Sequence, residues 1–138
     1  MEHTLVLIKP DGMKKKIVGK IIDRFEREGL ELVGLKLINL TQEPLETWYA
    51  HHKDKPFFKD LSDFMKSSPV VAIVLRGEFA INRVRDVIGP TDSSKAPKGT
   101  IRGDHGDSIQ MNVVHASDAP ERAEFEISLL FKSTEIFG

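Results

Sequence analysis

The residue with the clearest capacity for chemistry is His115. It follows the apolar stretch "MNVV" (111–114), precedes the small pair Ala116 and Ser117, and sits just before a helix start near Asp118. An imidazole at a strand end facing a helix N-terminus meets unpaired backbone N–H groups and the positive end of the helix dipole, a setting that stabilises a phosphate carried on the ring. Ala116 and Ser117 leave room for an incoming group, and the Ser117 hydroxyl is a ready hydrogen-bond donor. The bland alternative is a histidine that only fills space at the end of a strand. The other histidines have weaker claims: His3 lies near the terminus, His105 lies in a loop-like stretch, and His51 and His52 are adjacent, so they cannot share one helical face as a metal pair would.

Neither GxxxxGK[ST] nor GxGxxG occurs, so a bound phosphate must be held by side chains rather than by a glycine-rich cradle. Lys9, Arg85 and Arg102 are the candidates, although any one of them alone is more simply a solvated charge. With 20 basic and 21 acidic residues the net charge is -1, so no global field draws nucleic acid and any anion must be bound locally. The lysines in "MKKKI" (13–17) are too few for a polybasic stripe. Absence of cysteine excludes disulfides, thiolate metal sites and thiol nucleophiles. The opening "MEHTLVLIKPDG" has neither the basic leader nor the cleavage pattern of an export signal, and no window reaches the length of a membrane span, so a cytoplasmic location is expected.

The elements that must position these residues alternate along the 138 residues, which are expected to form a single domain, 1–138. "TLVLI" (4–8) reads as a buried strand ended by a turn at "KPDG", which puts Lys9 at its carboxyl end. "VGKIIDRFEREG" (18–29) is an amphipathic helix closed by Gly29, and "LELVGLKLINL" (30–40) a strand with Val33, Leu35 and Leu37 alternating with polar or small residues. Helices are expected over 43–53, capped by Thr41, and over 58–68. "PVVAIVL" (69–75) is a strand buried on both faces, followed by a helix over 78–89. A long loop spans 90–108, a fourth strand 111–114, and a last helix starts near Asp118 with Pro120 in its first turn and Glu121 at capping-box spacing. This order gives an α+β fold: a ferredoxin-like, four-stranded antiparallel sheet with covering helices and an extra long loop. Such a sheet also serves RNA-binding modules, but those need interleaved aromatics on a central strand, and neither "TLVLI" nor "VVAIVL" has any.

Five stretches in order, "TLVLIKPDG" (4–12), "KPFF" (55–58), "SPVVAIVL" (68–75), "GTIRGD" (99–104) and "NVVHASD" (112–118), resemble the nucleoside diphosphate kinase family, and the resemblance covers essentially the whole chain. It implies ping-pong transfer of a terminal phosphoryl group from a nucleoside triphosphate to a nucleoside diphosphate, ATP/ADP and GTP/GDP among them, through a phosphohistidine on His115 formed at Nδ1. The resemblance further implies that Glu126 and Ser117 orient the imidazole and that Arg85, Thr91 and Arg102 hold phosphates. Lys9 and Asn112 would contact ribose hydroxyls, with Lys9 and Tyr49 also near the transferring group. Phe57 would stack on the base, with Ile109 near its other face, and stacking tolerates any base. Mg²⁺ is expected on the nucleotide phosphates, touching Asp118 at most through water. Every matched catalytic position is filled, which argues against a relative that keeps the pocket without the activity.

The chain departs from the common family pattern at several positions. Gln110 and Met111 replace a Gly-Arg pair, Ala116 a frequent glycine, and His105 a frequent phenylalanine; Asp92 and Ser93 stand where Asn-Pro is usual. The 89–98 loop packs between subunits in family members, and the chain ends at Gly138 without the tail some members use there, so these departures bear on assembly before chemistry. A homo-oligomer, hexamer or tetramer, is still expected from the family.

Overall fold

The computed structural model describes residues 1–138. Four strands, β1 (Glu2–Ile8), β2 (Glu31–Ile38), β3 (Val70–Gly77) and β4 (Val114–Ala116), form one sheet in the order β2-β3-β1-β4. All neighbours are antiparallel. The ferredoxin-like expectation therefore holds, and the central strands show why: Leu5, Val6, Leu7 and Ile8 of β1 and Val70, Ala72, Ile73, Val74 and Leu75 of β3 are buried almost completely. A strand apolar on both faces is stable only between two covering layers.

Alternation along the strands sorts the core into two halves. Val6, Ile8, Ile73 and Leu75 pack with Ile21 and Phe25 of α2 (Val18–Arg27) and with Val84 and Ile88 of α5 (Ala80–Ile88), the last two following α1 (Pro10–Lys14), α3 (Gln42–Trp48) and α4 (Pro56–Lys66) in chain order. Leu5, Leu7, Ala72 and Val74 pack on the other face with Leu45 and Trp48 of α3, Phe58 and Met65 of α4, and Leu130 of α7 (Pro120–Leu130). Gly29, at φ +80°, ends α2 as its position in the sequence indicates.

Several boundaries move for physical reasons. "KPDG" is a short helix, α1, with Pro10 at its first position and Lys9 as its N-cap, rather than a simple turn. Helix α3 stops at Trp48, and the 49–55 stretch is a succession of turns. The 90–108 segment contains a 3-10 turn (Ser93–Lys95) capped by Asp92 and a short helix, α6 (Ile101–His105), so His105 is a half-buried helix residue. Asp118 does not cap α7; Ala119 occupies that place, without a side-chain cap.

Two strands differ more instructively. In β2 the pairing slips between Leu32 and Gly34, so Val33 leaves the face that Leu35 and Leu37 share. Those two leucines stand on the sheet's edge strand, 50% and 63% exposed. The fourth strand is not 111–114 but Val114–Ala116, because Val113 adopts a left-handed φ of +76° that breaks the extended run. A β-branched residue there costs about 1–3 kcal/mol and persists only where the surroundings over-determine it. Here they do: Val113 N–H donates to Asp11 Oδ2 at 2.9 Å, and Val113 C=O accepts from Lys9 N–H at 2.9 Å. Gly12 is pressed against this turn, since a Cβ on it would lie 2.9 Å from both the Val113 oxygen and Ile8 Cγ2.

Candidate active site

The displacement of β4 from 111–114 to Val114–Ala116 puts His115 in mid-strand, opposite Leu7 and on the same face of the sheet. That face carries α3, α4 and α7, so the imidazole projects toward the last of these rather than ending a strand beside it. Its Nε2 lies 3.0 Å from Oε1 of Glu126 on α7. The Ser117 hydroxyl donates to the same oxygen at 2.7 Å, and Arg122 Nη2 reaches Oε2 at 3.4 Å. Glu126 is only 2% exposed. Burial alone pushes its carboxyl up, but the hydrogen bonds from His115 and Ser117 and the charge of His115 and Arg122 outweigh burial and hold it below the usual carboxylate range. An ionised Glu126 accepts the N–H of Nε2, which leaves the ring's lone pair on Nδ1.

His115 opens on a cleft of about 250 Å³. Lys9, Arg85, Arg102, Thr91 and Asn112 line it, together with Tyr49 and Asp118. Sequence positions between 9 and 118 thus converge on one hollow, and the three cations have no carboxylate within ion-pair distance among the salt bridges of the molecule. Lys9 Nζ donates to Asn112 Oδ1 at 2.8 Å and to the Gln110 carbonyl at 2.5 Å. Burial lowers its pKa to about 8, Asp11 raising it and Arg102 lowering it further. Arg102 donates to the carbonyls of Asn112, Gly89 and Val114, at 3.3, 3.0 and 2.7 Å, tying the end of α5 to the 112–114 segment. Burial and the nearby Arg85 bring its pKa down to about 10. Asn112 Nδ2 donates to the Thr91 carbonyl at 3.0 Å, linking the 89–98 loop to the cleft. Concentrated positive charge without a paired carboxylate, buried at Lys9 and Arg102 and exposed at Arg85, is what a polyanion would relieve. The Tyr49 hydroxyl is kept protonated, its pKa pushed up to about 12 by burial and by Glu126.

Phe57 and Ile109 lie outside the cleft lining and are 51% and 60% exposed. Asp118 is the one carboxylate in the lining, and no three acidic or histidine side chains converge into a cation cage. The donor set therefore fits a divalent cation that arrives on phosphate oxygens with water around it. A larger apolar groove, about 580 Å³, between the chain's two ends and α7 has no comparable group of cations.

The departures from the family pattern leave the cleft intact. Ala116 packs into the core opposite Val6. Gln110 contributes only its carbonyl to Lys9, and Met111 is 37% exposed beside Leu37 and Phe64. Three residues not foreseen from the sequence belong to the site's support: Asp11, Arg122 and Trp48. Arg122 was readable as the i, i+4 partner of Glu126, and Asp11 as the neighbour of Lys9. Trp48, whose ring centre lies 5.2 Å from that of His115, left no local signal.

The nucleoside diphosphate kinase family model matches residues 2–136. The chain belongs to the nucleoside diphosphate kinase family. It is 54% identical over 135 residues to the nucleoside diphosphate kinase of Staphylothermus marinus, covering 98% of this chain and 96% of that one. It is also 54% identical over 136 residues to that of Wolinella succinogenes, covering 99% of each. Among solved structures, the Aquifex aeolicus nucleoside diphosphate kinase superposes with a TM-score of 0.93 at 47% identity, covering 98% of both chains. A halophilic nucleoside diphosphate kinase from Halobacterium salinarum, in complex with CDP, gives 0.94 at 41% identity over 99% of this chain and 91% of that one. This nucleoside diphosphate kinase is a transferase that moves phosphoryl groups between nucleoside triphosphates and diphosphates. No helix in it is long and apolar enough to cross a membrane.

Proposed function

We propose that the kinase works by a ping-pong relay on His115. The observation that carries this reading is one cleft in which an imidazole with Nε2 engaged by Glu126 faces three unneutralised cations. Nδ1 attacks the terminal phosphorus of a nucleoside triphosphate; the N–P bond forms as the bond to the bridging oxygen breaks, and the diphosphate leaves with that electron pair. The Nε2 proton stays on the ring, shared with Glu126, and Ser117 holds the carboxylate in place. A second nucleoside diphosphate enters the same cleft, and its terminal oxygen takes the phosphoryl group by the reverse displacement.

Charge in such a transfer spreads over the equatorial oxygens, so positioned donors supply most of the catalysis. Arg85, Thr91 and Arg102 hold phosphates. Lys9 and Asn112 hold ribose hydroxyls, with Lys9 and the protonated Tyr49 also reaching the transferring group. Phe57 and Ile109 take the base between them without reading its edges, which gives ATP, GTP and other nucleotides alike as substrates. Asp118, the one carboxylate in the cleft lining, would face through water a divalent cation such as Mg²⁺ carried on the nucleotide phosphates, which would supply neutralisation of developing charge. The chain acts as one domain, 1–138, in the cytoplasm, and as a homo-oligomer, hexamer or tetramer; the exposed leucines of the edge strand β2 support association.

Incubation with γ-labelled ATP and Mg²⁺, peptide mapping before and after mild acid, and a chase with GDP test the relay. The expected result is an acid-labile phosphate on His115 that moves to GDP. Turnover retained in His115→Ala, or a stable label elsewhere, would overturn it.

A further inference from the structure

We propose that Trp48 is a positioning residue for the reaction: its ring, packed against His115, fixes the plane in which the imidazole presents Nδ1 to the phosphate cleft. This rests on the reading of His115 as the nucleophile.

The need for such a residue follows from geometry. The imidazole turns about the line of its Cβ–Cγ bond, and Nε2 lies close to that line, so the hydrogen bond to Glu126 resists this rotation only weakly. Displacement at phosphorus requires Nδ1 in line with the leaving oxygen, so a second contact off that line is needed. Trp48 supplies it. The two ring centres are 5.2 Å apart with the planes at 75°, an edge-to-face pair that holds orientation as well as distance.

Trp48 is itself packed into the core. It is the last residue of α3, 5% exposed and packed in the same core half as Leu7, the residue paired with His115 across the sheet. Its ring also stacks on Tyr49, at 6.2 Å and 23°. Tyr49 and His115 line both the phosphate cleft and an adjoining hollow of about 360 Å³, whereas Trp48 lines only the hollow. Trp48 therefore acts on the nucleotide only through His115 and Tyr49, both placed at the transferring group, and its loss should act on the phosphoryl-transfer step rather than on nucleotide binding.

The chain has one tryptophan, so all indole emission reports on this pair. Phosphorylation places up to two negative charges on the neighbouring ring and should change that emission. The test follows emission by stopped flow on mixing the full chain with ATP and Mg²⁺, in parallel with label transfer to His115, and repeats the labelling with Trp48→Phe and Trp48→Leu after their folding has been checked by circular dichroism. Expected are an emission change at the rate of labelling, reversed by GDP, and a fall of about tenfold or more in phosphorylation rate for Trp48→Leu with nucleotide KM unchanged. Trp48→Phe, which keeps an aromatic ring at the contact, should recover most of that loss. A folded Trp48→Leu enzyme labelled at the original rate overturns the inference. So does emission that stays constant while His115 is labelled, a result that decides the matter even if Trp48→Leu does not fold. Failure of the unsubstituted protein to label His115 at all would instead overturn the relay, and this inference with it.

Discussion

His115 takes its reactivity from its neighbours, and each neighbour's share can be separated by substitution. Glu126→Gln keeps the shape but removes the ionised acceptor and can present an N–H to the ring, which favours the wrong tautomer. Phosphorylation should slow by roughly a hundredfold without vanishing, as seen for supporting residues that orient a reactive imidazole; an unchanged single-turnover rate would show that the carboxylate does not orient the ring. Arg122 acts one step further out. It helps lower the Glu126 carboxyl, so Arg122→Ala should let that carboxyl bind a proton at higher pH than before. The acidic limb of the phosphorylation rate should then move to higher pH, and a limb that stays in place would exclude Arg122 from this role. Lys9 sets the other limb. With its pKa brought down to about 8 by burial, it is charged below that pH and loses its charge above it. Attraction for nucleotide oxygens is lost in the same sense, so kcat/KM, which reports the free enzyme, should fall as pH rises through about 8. Lys9→Gln should bind more weakly throughout and lose that inflection.

The elements that carry these residues were legible in the sequence where a local pattern dictates them and obscure where a distant contact does. Buried β1 and β3 announce themselves by unbroken apolar runs, and α2 by its stripe and its closing Gly29. The fourth strand was misplaced because "MNVV" has the right propensity, whereas its end is set by Asp11, about a hundred positions away, which bonds the Val113 N–H and stabilises the left-handed turn. His115, Lys9, Arg85 and Arg102 were readable as candidates from type and position but gained definite roles only through the family pattern, Glu126 only through that pattern, and Trp48 only through packing. The Asp11 contact has a measurable consequence. Asp11→Ala removes the acceptor for a buried N–H and should destabilise the fold by about 1–3 kcal/mol, read from urea denaturation. Because β4 begins at the next residue, phosphorylation of His115 should also slow. Asp11→Asn, which keeps a carbonyl acceptor, should recover much of both, and equal behaviour of the two variants would exclude the hydrogen bond as the cause.

At the scale of the whole molecule, the sheet ends in two edge strands of unequal length, β4 and β2. β4 is short and leads directly into the site, but β2 offers eight residues with only β3 beside them. Long apolar edges invite pairing with another chain, and an isolated protein of this size would be expected to blunt such an edge with charge. Here Leu35 and Leu37 stand exposed on it, while the polar partner on the other face, Lys36, is already tied to Glu135 at 3.0 Å. The cleft lies toward the far side of the sheet, across β3 and β1. Replacing both leucines, Leu35→Lys with Leu37→Lys, should therefore separate assembly from chemistry. Light scattering should report a smaller species and thermal denaturation a lower midpoint, because interface burial no longer adds to stability. Label transfer to His115 should persist below that midpoint, since no residue of β2 reaches the cleft. An unchanged mass would exclude the β2 edge as the association surface and direct the search to the 89–98 loop, where Asp92 caps its own 3-10 turn in place of the usual Asn-Pro.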